Sequence, residues 1–211
     1  MSCPICQKRK SERFCPAKAE KICAVCCGTE REVSIDCPAG CAYLASAHRY
    51  EARQQRPLRS DTPLLDERVR RESVEAHGPL LSALAFTIAK FSAAEASCKD
   101  PDVLEALRTL AETYKTLRSG IVYEQPPFVP VQRGLYEALS RFLEEVKQPG
   151  SHASFAPVKD GAIFDLLVFL YRMGLVQTNG RPRSRRFIEF LRSQFPGARE
   201  GKREEPRIIV P

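Results

Sequence analysis

Eight cysteines crowd the first 41 residues as Cys3-x2-Cys6, Cys15, Cys23-x2-Cys26-Cys27 and Cys37-x3-Cys41. Two residues between cysteines make a turn tight enough for both sulfurs to reach one ion, and two such pairs 16 residues apart are the framework of a tetrahedral zinc site. Eight thiolates in so short a segment imply two Zn2+ ions held by interleaved pairs. The first and third pairs, Cys3, Cys6, Cys23 and Cys26, are expected to share one ion. The second is expected to take Cys15, Cys37, Cys41 and one more ligand, with Cys27 preferred and His48 the alternative. All-thiolate sites are closed and structural, whereas a catalytic zinc keeps an open position and commonly uses histidine or carboxylate. One iron–sulfur cluster would use only four thiolates and leave the others unexplained. A redox role would fall on Cys27 or Cys98.

These sulfurs need metal to hold them in the head, residues 1–50, because its first 41 residues contain too few large apolar side chains to bury a core. Only Cys98 lies outside this head. After it, Ala42 to Tyr50 reads as a short helix and residues 51–60 as a linker. A mainly α body of five or six helices over residues 61–197 follows, then a charged, flexible tail over 198–211. Asp61-Thr62-Pro63 predicts a helix running to His77, and Gly78-Pro79 opens a largely apolar one to Ser97. Asp100-Pro101 repeats the cap-and-proline device. Val103, Leu107, Leu110, Tyr114 and Leu117 then form a 4-3-4-3 seam that packs along another helix. Three prolines make 121–129 an extended connector. Leu135, Leu139, Phe142 and Val146 mark a fourth helix, 148–159 is expected to be a loop, and Asp160 is expected to cap a fifth helix through Met173 with Gly174 as its stop. A sixth runs from about Ser184 to Phe195.

Cys3-x2-Cys6-x8-Cys15-x7-Cys23-x2-Cys26, with Phe14 and Ile22 before the third and fourth cysteines, resembles the first half of a B-box zinc finger. The resemblance covers about a tenth of the chain. It departs where a B-box has a ligand a few residues after the third cysteine, here Lys18, and where it ends in two histidines, here Cys37 and Cys41. B-boxes are interaction modules, so the resemblance implies an adaptor and no catalysis.

The formal charge of +7 suggests a polyanion partner, yet it counts every cysteine as neutral. Zinc-bound thiolates reduce it to about +3 and bring the head to about zero. The alternative function, a nucleic-acid-binding regulator, rests on Arg181, Arg183, Arg185 and Arg186 after Asn179-Gly180, a hairpin signal that a winged helix would use as its basic wing. The apolar helix before it argues against base readout. His77 and His152 are expected to face solvent. With no phosphate loop, nucleophile–base set or paired carboxylates, the chain does not read as an enzyme. The odd cysteine count and the absence of a leader pattern predict a reducing, cytoplasmic setting, and no apolar run is long enough to span a membrane. The expected function is protein–protein interaction or scaffolding with structural zinc.

Overall fold

The computed structural model describes residues 1–54, 58, 60–148 and 158–197. The expected tail, His152 and most of the 148–159 loop lie outside the described residues. The fold is mainly helical, with a small cysteine-rich segment preceding a helical body. In the head, strands β1 (Arg13–Cys15) and β2 (Glu20–Ile22) form an antiparallel hairpin, followed by helices α1 (Ala24–Glu30) and α2 (Ala42–Ala52). The body holds α3 (Arg71–Ala76), α4 (Gly78–Ala94), α5 (Asp100–Leu117), α6 (Pro130–Lys147), α7 (Asp160–Gln177) and α8 (Arg186–Gln194).

Two separate clusters of buried side chains result. In the head the buried residues are Cys3, Cys15, Cys23, Cys26, Ile22 and Ile35, so cysteine supplies most of what other small domains make from leucine. In the body, α7 packs chiefly on α5, α6 lies against α5 and α4, and α8 lies on α4. The seam expected along α5 is buried at Val103, Leu107, Leu110 and Tyr114. It meets Ile163, Phe164, Leu167 and Leu170 of α7 in the same core.

Three elements differ from the sequence reading. The helix expected from Asp61 to His77 is confined to Arg71–Ala76. Over the preceding stretch, Arg172 of α7 donates to the carbonyls of Leu64 (2.7 Å), Leu65 (2.7 Å) and Glu67, and Leu64 takes a positive φ of 59°. A guanidinium thus takes carbonyls that helical amides would otherwise use. Gly174 does not stop α7 but sits buried inside it. A Cβ there would come within 2.7 Å of Leu104 and 2.8 Å of Phe187, so the glycine permits close packing of α5 and α8 on α7. Asp100 is not a local cap either. Lys99 is the N-cap of α5 and Asp102 accepts its amide at 2.9 Å, leaving the Asp100 carboxylate to α8.

Candidate metal centre

The first site is assembled by two turns of chain. Around Cys3 and Cys6, the Cys3 amide donates to the Arg9 carbonyl and the Gln7 amide to the Cys3 carbonyl, both at 2.7 Å, with Gln7 at φ 53°. This closes a loop that turns Cys3 and Cys6 the same way. The β-hairpin then delivers Cys23 to the N-cap of α1, where its sulfur accepts the Cys26 amide at 3.3 Å. Cys3, Cys23 and Cys26 are buried and Cys6 is half-buried. All four sulfurs lie within 4.8 Å of one another, and Cys6 and Cys23 are 3.9 Å apart. The residues expected to share the first ion are therefore brought together as a group able to hold a metal.

Electrostatics fits a set that wants a cation. A hydrogen bond from the Lys8 backbone opposes burial and, with help from Arg9, brings the Cys6 thiol down to about 6. Burial works against the Cys3 thiolate, but the backbone amides of Cys23, Cys6 and Ile5 outweigh it and lower the group. Burial and the three neighbouring sulfurs push Cys26 up to about 12. Without a cation, four adjacent sulfurs cannot all be thiolates; a dication reverses that balance.

The second expected set is looser. Among the described residues, only the first quartet brings its ligand atoms within 4.8 Å. Cys15 ends β1 and is buried, Cys27 lies in α1, Cys37 follows Ile35, and Cys41 is the N-cap of α2. Burial pushes the Cys37 thiol up against a hydrogen bond from the Glu32 backbone, and the nearby Cys41, Glu32 and Cys15 raise it further. His48, the alternative ligand, places Nε2 3.0 Å and 3.1 Å from the two carboxylate oxygens of Glu32.

Glu32 had no signal in the sequence. It is 2% exposed, with φ 55°, and its carboxylate accepts from His48 and, at 2.7 Å, from Asn179. Burial pushes its carboxyl up, yet hydrogen bonding and charge from His48, with Asn179 and Arg181 beyond, hold it below the ordinary range. Its carbonyl accepts the Arg183 amide at 2.9 Å. Glu32 is thus the point where head meets body.

The arginine run completes that contact. Arg181 donates to the carbonyls of Gly28 and Arg31, and Arg185 pairs with Asp36 at 2.6 Å while donating to the Ala96 carbonyl at 2.9 Å. Lys99 also reaches Asp36, at 2.9 Å. Arg183 is exposed and Arg186 half-buried. Residues 178–181 form no strand, and the turn that follows lies at Pro182-Arg183, so the winged-helix hairpin is not formed. His77 does not simply face solvent, as its Nδ1 lies 2.8 Å from the Ser73 carbonyl oxygen. Among the described residues, no helix is long and apolar enough to cross a membrane. No family model, curated protein or solved structure matches the chain.

Proposed function

We propose that the head is a zinc-folded, B-box-like interaction module and that the protein is an adaptor or scaffold, with structural metal and no catalysis. The carrying observation is the four-sulfur set at Cys3, Cys6, Cys23 and Cys26, all thiol and mostly buried. With Zn–S bonds of about 2.3 Å, a tetrahedron has edges of about 3.8 Å, against 3.9 Å between Cys6 and Cys23. Four thiolates around one zinc leave no position for water or substrate. A second ion on Cys15, Cys37, Cys41 and either Cys27 or His48 belongs to the same reading. Native mass spectrometry is expected to find two zinc ions per chain. One ion would confine the metal to the first quartet, and none would overturn the assignment.

A protein partner is favoured by the connector between α5 and α6. Ile121 (59%), Val122 (79%), Tyr123 (59%), Phe128 (87%) and Val129 (44%) are all exposed on one extended, proline-bearing strap. Large apolar side chains grouped on a surface mark contact sites, and an extended proline-rich segment loses little entropy on docking. Replacing Val122 and Phe128 together with serine is expected to leave the melting temperature unchanged and to abolish capture of a partner that the wild-type chain retains. Equal capture would place the interface elsewhere. Arg181 and Arg185 are engaged within the chain, which gives the nucleic-acid reading no added support.

A further inference from the structure

The end of the body opposite the head carries a second feature, independent of the metal. α7 has 18 residues, and at about 1.5 Å per residue it sets its first turn about 27 Å from the turn that holds the head. Two adjoining hollows open there, of about 710 Å³ and 670 Å³, sharing Arg70, Arg118 and Gly161 as walls. Arg68 and Lys159 also line them. This size lies within the range of small-molecule sites.

The cations are not equivalent surface charges. Arg70 is fixed by Asp165, which is 1% exposed and pairs with its Nε and Nη2 at 2.8 Å each, while 57% of the Arg70 side chain stays exposed, with Nη1 outside that pair. Arg118 sits over the buried ring of Phe164, with its Cζ 4.0 Å from the centroid. Two guanidinium groups are thus held in place from beneath, a preorganisation that exposed arginines lack. Gly161 leaves them room, since a Cβ there would lie 3.3 Å from the Arg70 guanidinium. The acidic lining is largely neutralised: Asp165 by Arg70 and Asp160 by Lys147 at 2.6 Å, leaving exposed Glu72. Glu67 offsets Arg118 and Lys115. Arg68 and Lys159 have no partner among the described residues, so the hollows keep an excess of positive charge. Ser73, on the lining, buries its hydroxyl oxygen with no hydrogen-bond partner.

We infer that this groove binds a small phosphate-bearing molecule, with Arg70 and Arg118 facing the phosphate oxygens and Arg68 and Lys159 supplying the remaining charge. Guanidinium forks match phosphate oxygens in paired hydrogen bonds. The probe is inorganic pyrophosphate, titrated calorimetrically into the full chain at low salt. Binding is expected, weakened at least about tenfold in the double variant Arg68→Glu, Lys159→Glu, because each lost charge-assisted contact is worth a tenfold factor or more. That variant removes no contact of the fold, so its melting temperature should match the wild type; should it fail to fold, Arg68→Gln with Lys159→Gln carries the same test. Arg183→Ala with Arg186→Ala is expected to leave the affinity unchanged. No binding, equal binding in the groove variants, or loss in the Arg183/Arg186 variant would each overturn the assignment.

Discussion

Replacing Cys23 with serine is expected to remove one metal ion per chain and to unfold the head while leaving the body folded. Cys23 does two things at once: its sulfur belongs to the quartet, and the same sulfur caps α1 by accepting the Cys26 amide. Serine is among the best N-cap residues but a poor substitute for a zinc thiolate. The change therefore preserves the cap and isolates the ligand. Structural zinc sites of this kind supply on the order of 10–16 kcal/mol, and the head's buried cluster has only Ile22 and Ile35 beside its cysteines. Without metal there is too little apolar area to offset the entropy of ordering the segment. The body keeps its own core and should retain most of the far-ultraviolet helical signal. Amide spectra should show collapse confined to the head. Cys98→Ser is the control, since that buried thiol lies in the body cluster and its loss should not alter the metal count. An unchanged stoichiometry in Cys23→Ser would sink the first site.

What was legible follows from which partners are local. The first quartet could be read because each pair lies on one turn, so spacing alone orients the sulfurs. The seam of α5 could be read because a helix repeats its face every three to four residues. Glu32 could not, because what makes it special is burial under Asn179, which is 147 positions away in the chain. The 61–70 stretch misled for the same reason: its carbonyls are taken by Arg172, more than a hundred residues later. Gly174 shows a different limit. A glycine near the end of an apolar run serves equally well as a stop or as a packing notch, and only Leu104 and Phe187 decide between them. Arg181 looked like free charge because its acceptors at Gly28 and Arg31 are backbone carbonyls, which no residue type announces.

Asp100→Ala is expected to be the most damaging single change in the body. The carboxylate is fully buried and accepts from the Ser184 hydroxyl at 2.6 Å and from the amides of Phe187 and Ile188 at 3.1 Å each. At the start of α8 the N-cap residue, Arg185, makes no side-chain cap, and local capping is limited to the Ser184 hydroxyl, which accepts the Arg186 amide at 3.3 Å. Asp100 replaces that cap from another helix, and its own amide returns a bond to the Ser184 carbonyl at 2.7 Å. A carboxylate near a helix N-terminus also meets the favourable end of the dipole. Alanine would leave buried donors unsatisfied, at about 1–3 kcal/mol each, for a total of about 3–5 kcal/mol. In a chain of this length that lowers the melting temperature by roughly 6–20 °C. Asp100→Asn retains one acceptor but no charge and should fall between. The damage should also reach the head, since residues 178–185 both lead into α8 and hold Glu32. Hydrogen exchange at the Arg183 amide is therefore expected to quicken along with that of α8. Lys99→Ala, next to it, removes a contact to the partly exposed Asp36 and should cost no more than about 1 kcal/mol. Equal melting temperatures for the Asp100 and Lys99 variants would show that α8 does not depend on its borrowed cap.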